Sequence, residues 1–292
     1  LNLTKEDFNK ALFLIIGGLI KKAVISDYIS VNFVDRVFDA PNSYSAFENL
    51  MASYGYAIQI YCDFSGYSDM AIGLALLMGF TLPPNFLTPY KSASITEFWR
   101  RWHISLSSWL RDYLYISMGG NRKGKFRTYF NLFMTMLLGG LWHGANWKFV
   151  LWGVLHGLAL AVERFFQPRI KLPKNAFIKG IQIFITFHFV VFCWLFFRAK
   201  DFETVYIILD NISHLKWNWI QIQTILLGYK NVFVLLAFGF IWHFTPSSIT
   251  VKNEYLFGKL PIIIKAILLG FVFWIVYATA AEGTQPFIYF QF

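Results

Sequence analysis

Charged residues are scarce in this chain of 292 residues, because Asp, Glu, Lys and Arg together make up only 14% of it. Soluble domains average about 25%. Hydrophobic residues make up 57% of the chain, and aromatic residues make up 20% of it. This composition excludes an ordinary soluble enzyme. It is typical of a protein whose helices face lipid and whose aromatic side chains lie at the level of the headgroups.

Cysteine is nearly absent as well. Cys62 and Cys193 lie in or beside apolar segments, so the sequence has neither a disulfide framework nor a cysteine metal site. No two histidines stand at i, i+4 spacing with a carboxylate, which argues against a zinc or iron site. A serine nucleophile elbow, a glycine-rich phosphate loop and a nucleic-acid-binding signature are also missing. We therefore assign the net charge of +10 to topology and contact with membrane lipid.

The main feature of the sequence is a series of long apolar runs. A membrane-spanning helix needs roughly 20 apolar residues, so residues 1–292 are predicted to form one all-α polytopic membrane domain. The clearest predicted spans are Tyr129–Gly144, Phe149–Val162, Phe177–Phe197, Val232–Phe244 with a lead-in from Ile220, and Ile262–Ala281. Because the chain starts at Leu1 with a polar stretch, we expect further N-terminal spans to precede it in a longer protein.

Weaker apolar runs precede these spans. Residues 11–29 are interrupted by Lys21 and Lys22, and the polar residues 63–66 separate two further runs at 46–62 and 70–82. These runs predict tilted, short or re-entrant helices. We interpret Asp63 and Asp69 as parts of a capped helix junction, in preference to the polar lining of a cavity.

Basic residues in short loops predict the orientation. One cluster precedes the span at 129–144 and a second follows the span at 149–162, so both loops are expected on the cytoplasmic side. The clusters are Arg122, Lys123, Lys125 and Arg127, and Arg164, Arg169, Lys171, Lys174 and Lys179. The turn Gly144–Asn146 then points outward, and His143 lies near the outward end of its helix.

A third kind of segment, Ser94–Tyr113, is neither loop nor span. Thr96 is predicted to cap a helix, and Trp99, His103, Leu106, Leu110 and Tyr113 recur at helical spacing on one face. The arginines and tryptophans of this segment suit a helix at the membrane interface or partly inserted into it.

Two of the six histidines stand out by their surroundings. His143 is bordered by Gly140 and Gly144, whose spacing of four lets a neighbouring helix approach closely. An imidazole there can accept a proton from an attacking hydroxyl, in either acyl or phosphoryl transfer, or it can be incidental to a packing seam. Anchoring at the interface explains the arginines around His103 better than it explains His103 itself. For His156 packing is the better interpretation, and nothing supports a role for His188, His214 or His243.

Five segments, in this order, resemble the membrane-bound O-acyltransferase family, in the branch that acetylates alginate, peptidoglycan and other bacterial polysaccharides. They are Tyr61–Gly73 (YCDFSGYSDMAIG), Ile95–Ser107 (ITEFWRRWHISLS), Trp109–Ile116 (WLRDYLYI), Gly119–Arg122 (GGNR) and Gly140–Trp147 (GLWHGANW). The resemblance is strong over residues 12–164, and residues 287–292 also resemble this branch.

The resemblance implies a ring of transmembrane helices around a tunnel in a bacterial inner membrane. His143 matches the family's catalytic histidine and His103 its second functional position. An acyl thioester such as acetyl-CoA is the implied donor substrate, with no tightly bound cofactor and no metal. A polysaccharide is the implied acceptor, and a separate periplasmic or extracellular acetyltransferase the implied partner. Arg100, Arg101 and Arg111 are candidates for binding the anionic donor.

Several alternatives stay open at this stage. An acyl intermediate on the protein, transfer of D-alanyl or another acyl group from a carrier protein, and a role in polysaccharide export are each compatible with parts of the sequence. Transporters usually show two related halves with broken helices, and no such internal symmetry is visible.

Overall fold

The computed structural model describes residues 3–167, 169, 173 and 175–279, and every regular element in this part of the chain is helical. The all-α prediction is therefore confirmed. The α-helices are α1 Lys5–Leu19, α2 Asp27–Ile29, α3 Asp35–Asp39, α4 Ala46–Leu77, α5 Ile95–Arg101, α6 Ile104–Trp109, α7 Gly124–Trp142, α8 Trp147–Phe166, α9 Ala176–Arg198, α10 Phe202–Ser213, α11 Trp219–Gly228, α12 Lys230–Phe244, α13 Ser247–Lys259 and α14 Ile262–Thr279.

Among the described helices, α8, α9 and α14 are long and apolar enough to cross a membrane, and the bent pair α11–α12 would make a fourth span. These helices match four of the predicted spans, although the lead-in from Ile220 meets α12 at an angle of 88° and does not continue it. The predicted end of the last span at Ala281 and the segment 287–292 lie outside the described residues. Helix α7 is less apolar than these, so its crossing of the membrane stays a prediction.

The chain divides into two compact units. One contains the described residues of Leu1–Pro84 and Asp210–Gln291, and the other contains those of Asn85–Leu209. The first unit therefore holds α1–α4 and α11–α14, and the second holds α5–α9. The organisation of 1–292 as a single domain stays a prediction.

In the first unit, the expected helix junction at Asp63–Gly66 is wrong, because α4 runs through it without a break. The chain from α1 to α3 is also continuously helical, with π-helical turns at Ile20–Ser26 and Ser30–Val34. Lys21 and Lys22 both lie in the first of these turns. Lys22 pairs with Asp63 and Lys21 with Asp69, so the two carboxylates of α4 form ion pairs inside the bundle. Paired in this way, they do not need the solvent exposure that a helix end would give them.

The close approach of α1 and α4 explains why residue 66 of α4 is a glycine. A Cβ on Gly18 would lie 2.6 Å from the carbonyl oxygen of Gly66, and a Cβ on Gly66 would lie 2.7 Å from the carbonyl oxygen of Gly18. Only glycine permits two helix backbones to pack at this distance.

In the second unit, the predicted continuous helix from Thr96 to Tyr113 is also wrong. Helix α5 begins after Ser94, whose side chain accepts a hydrogen bond from the Glu97 amide, and it ends at Arg101. The chain then turns through His103, and a new helix starts at Ile104. The five residues predicted to share one helical face are therefore separated: Trp99 lies in α5 and His103 in the turn. The other three, Leu106, Leu110 and Tyr113, lie in α6 and in the π-helical segment Leu110–Tyr115 that continues it.

Candidate active site

His143 lies directly after the last residue of α7. Its backbone amide donates to the Gly140 carbonyl at 3.0 Å, and the turn that follows ends at Asn146, whose side chain caps α8 by accepting from the Lys148 amide at 3.1 Å. The α7–α8 hairpin is thus closed immediately beside the imidazole, and a hydrogen bond fixes the backbone on each side of the turn.

Glycines hold the two helices of this hairpin together. A Cβ on Gly140 would lie 2.3 Å from the Phe149 carbonyl oxygen, and a Cβ on Gly153 would lie 2.5 Å from the Met136 carbonyl oxygen. The close helix approach predicted from the spacing of Gly140 and Gly144 is therefore confirmed for Gly140, whereas Gly144 lies beyond the end of α7. The close approach places His143 against the first turns of α8.

The imidazole of His143 is enclosed by aromatic rings, and the residue as a whole is only 8% exposed. Trp152 of α8 meets it edge to face with ring centroids 5.2 Å apart, and Phe197 of α9 does so at 5.0 Å. Sequence reasoning did not select Trp152 or Phe197. For Trp152 a signal was present, because Phe149, Trp152, Gly153 and His156 recur at helical spacing on one face of α8.

His103 occupies the turn between α5 and α6. Its backbone is left-handed, with φ of 43°, which is uncommon outside glycine. Asn85 holds the turn from outside the segment, since its carbonyl accepts the Ile104 amide at 3.0 Å and its side-chain oxygen accepts the Ser105 amide at 3.0 Å. These bonds replace the helical bonds that a continuous helix would make, and they explain why the helix breaks here.

The two candidate histidines are close enough in the structure for His143 to influence the pKa of His103. His103 is 8% exposed. Burial, and secondarily the proximity of His143, lower the pKa of His103 from its ordinary value to about 3. Its imidazole is therefore neutral at physiological pH, so it can donate or accept a hydrogen bond without carrying charge.

Aromatic packing joins the helices that carry the two histidines. Trp102, the neighbour of His103, lies 5.0 Å from Trp194 of α9 between ring centroids, and Trp194 stacks on Trp152 at 6.0 Å. The Trp194 indole N–H donates to the Tyr90 hydroxyl at 3.2 Å. Contacts of this kind fix α5, α8 and α9 around both imidazoles.

His156 lies in the same aromatic cluster and is fully buried. Its Nδ1 accepts a hydrogen bond from the Trp99 indole N–H at 3.3 Å, and its ring stacks on Phe98. This arrangement agrees with the interpretation of His156 as a packing residue.

The three candidate arginines differ in their partners. Arg101 pairs with Glu97 at 2.6 Å and also donates to the Leu87 carbonyl at 3.2 Å, while Arg111 pairs with Asp112 at 2.7 Å. Arg100 is exposed, and no ion pair within the described residues involves it. Of the three, Arg100 is the most available to an anionic ligand. No group of three or more histidine, cysteine or acidic side chains suited to a metal ion occurs in the described ranges.

Several known proteins are similar to this chain in sequence. A probable alginate O-acetylase from Pseudomonas putida is 38% identical over 315 residues, covering 99% of this chain and 62% of that protein. A peptidoglycan O-acetyltransferase from Helicobacter pylori is 47% identical over 193 residues, or 66% of this chain and 36% of that protein. A teichoic acid D-alanyltransferase from Bacillus subtilis is 34% identical over 218 residues, or 68% of this chain and 54% of that protein.

The chain thus spans between 36% and 62% of the length of these relatives. The family model described as "MBOAT, membrane-bound O-acyltransferase family" matches residues 2–206, which contain both candidate histidines and all of α1–α9. The chain belongs to the membrane-bound O-acyltransferase family.

Proposed function

We propose that this chain is the membrane part of an O-acetyltransferase. It passes an acetyl group from a cytoplasmic acyl thioester, such as acetyl-CoA, toward an extracytoplasmic polysaccharide such as alginate or peptidoglycan. The observation that carries the proposal is the burial of His143 at the end of the α7–α8 hairpin, with a second buried histidine, His103, near enough to be influenced by it. The identity to polysaccharide O-acetylating relatives supports the same reaction.

In the proposed mechanism His143 is the general base. Its neutral imidazole takes the proton of the attacking hydroxyl, the hydroxyl oxygen bonds to the thioester carbonyl carbon, and the carbon–sulfur bond breaks. The leaving thiolate then takes the proton back from the imidazolium. The Trp152 and Phe197 rings around His143 exclude water, which would otherwise hydrolyse the thioester.

His103 is proposed to position the thioester or to stabilise the oxyanion by a hydrogen bond from its neutral ring. The left-handed turn that carries it is fixed by Asn85, so the ring is oriented before the substrate arrives. Strained backbone of this kind is often found where a side chain must be aimed at a substrate.

The donor is proposed to enter from the cytoplasmic side through a tunnel in the helical ring, and the acceptor from the outer face of a bacterial inner membrane. Arg100, Arg101 and Arg111 are the proposed contacts for the anionic donor. Glu97 and Asp112 compete for Arg101 and Arg111, so Arg100 is expected to contribute most. A separate periplasmic acetyltransferase is the proposed partner that completes transfer to the polymer.

The test is to measure base-labile acetate on cell-surface glycan from cells that carry the full-length protein, with His143→Ala compared at matched membrane abundance. His214→Ala is the matched control, because His214 is exposed in the turn directly after α10, where its Nδ1 lies 3.7 Å from the Asp210 carboxylate. Loss of acetate in His143→Ala alone, with normal polymer yield, is the expected result. Equal acetate in both variants would overturn either the reaction or the role of His143.

A second candidate is transfer of D-alanyl from a carrier protein, favoured by the 34% identity to a teichoic acid D-alanyltransferase. The same cells distinguish the two, because ester-linked alanine in place of acetate on the surface polymer would select the second candidate.

A further inference from the structure

The second unit contains a cavity far along α7 from His143. It has a volume of about 480 Å³ and lies between the first turn of α7 and the last turn of α8. Ligand sites are typically in the range of about 300–1,000 Å³, so the cavity is large enough for a glycerophosphate group. Its polar lining includes Asn121, Lys125, Thr128, Arg164, Gln167 and Arg169.

The charge of this lining has one sign. Lys125, Arg164 and Arg169 contribute three cations, and none of the described residues that line the cavity carries a carboxylate. None of the three takes part in an ion pair within the described part of the chain. Arg169 is held in place because its guanidinium donates to the Phe165 carbonyl and lies over the Phe165 ring, 3.8 Å from the centroid. Guanidinium and ammonium groups grouped in this way favour a phosphate oxygen.

The helix geometry adds to the positive potential. The cavity is bordered by Gly124 and Lys125 in the first turn of α7, and no side chain caps this helix end. The amide groups of a first turn carry the positive end of the helix dipole. This contribution has the same sign as the three side chains.

Exposed aromatic residues around the cavity indicate its depth in the membrane. Phe126 is 84% exposed, and Phe130, Phe165 and Phe166 are each between 41% and 46% exposed. Aromatic side chains beside basic ones are typical of the headgroup level, and α8, which ends at Phe166, is a candidate span. Basic pockets between helices at the cytoplasmic side are known to bind anionic headgroups.

We infer that this cavity binds the phosphate of an anionic phospholipid headgroup, held by Lys125, Arg164 and Arg169. The lipid fixes the cytoplasmic end of the α7–α8 hairpin, while the glycine contacts fix its other end. The phosphate groups of the thioester donor have the same chemistry, so the experiment separates the two sources. The inference does not depend on the acetyl-transfer reaction.

The experiment uses the full-length protein in nanodiscs of phosphatidylcholine alone, with phosphatidylglycerol added, or with desulfo-coenzyme A added. The thermal midpoint and the number of lipids retained in native mass spectrometry are measured for the unaltered protein, Lys125→Gln, Arg164→Gln and Lys179→Gln. Lys179 is the matched control, because it is exposed on the same predicted side of the membrane and does not line the cavity.

Phosphatidylglycerol is expected to raise the midpoint of the unaltered protein and of Lys179→Gln. Loss of one cavity cation is expected to weaken the apparent affinity about fivefold, since each basic residue contributes about a factor of five near an anionic surface. The inference is overturned if Arg164→Gln and Lys125→Gln respond as Lys179→Gln does. It is also overturned if desulfo-coenzyme A, and not phosphatidylglycerol, raises the midpoint. If Arg164→Gln does not fold, Lys125→Gln and the count of retained lipids decide between these outcomes.

Discussion

Gly140→Ala is expected to damage both the hairpin and the site at its end. The new Cβ would lie 2.3 Å from the Phe149 carbonyl oxygen, whereas real Cβ atoms essentially never approach a neighbour within 3.0 Å. The difference, 3.0 minus 2.3, requires α7 and α8 to separate by at least about 0.7 Å. Overpacking costs about 1–3 kcal/mol, and we expect the upper end because the colliding atom belongs to the backbone.

The same displacement reaches the chemistry, because His143 follows Gly140 by one turn and packs on Trp152 of the opposing helix. A catalytic group misplaced by about 1 Å can cost about 100-fold in rate, so glycan acetate is expected to fall by a factor between about 10 and 100. The assay compares acetate and the thermal midpoint of the detergent-solubilised protein, at matched membrane abundance.

Gly139→Ala is the matched control for this prediction. It adds the same methyl group one position earlier on α7, where the nearest atom is Cδ1 of Leu110 at 3.2 Å, the end of a flexible side chain. Alanine also has a better helix propensity than glycine by about 1 kcal/mol, so little change is expected. Equal stability and equal acetate in the two variants would refute the reasoning that the glycine contact positions His143.

Two further predictions concern buried charge. Lys21→Met leaves the partly buried Asp69 without its ion-pair partner, and we expect a loss of about 3 kcal/mol in the free energy of unfolding. The double variant Lys21→Met/Asp69→Asn should have a higher thermal midpoint than Lys21→Met alone, and a lower one would contradict the pairing. The second prediction is that the protein loses stability as the pH falls below 6.5, the ordinary pKa of a histidine. In the folded state the pKa of His103 is about 3, so the unfolded state binds the proton at a higher pH than the folded state does. The share due to His103 is about 1 kcal/mol at pH 5.5. The thermal midpoint of His103→Gln should therefore fall less than that of the unaltered protein between pH 7.5 and 5.5, and equal falls in the two proteins would contradict the lowered pKa.

Much of the fold follows from local composition. Apolarity is a property of each residue, and a run of about 20 apolar residues has few alternatives to a membrane helix. The predicted spans 149–162 and 177–197 therefore fall within α8 and α9. The segment around His143 was also recognisable, because Gly140, His143 and Gly144 are close together in the sequence.

The sequence by itself determined that the chain forms apolar membrane helices, and it identified His103 and His143 as the candidate site histidines. Tertiary structure alone decided the break at His103, because Asn85 supplies hydrogen bonds from outside the segment. It also decided the continuity of α4, because Lys21 and Lys22 reach Asp69 and Asp63 from another helix. Helical periodicity describes only neighbours along one helix, whereas these hydrogen bonds and ion pairs join residues that only the folded chain brings together.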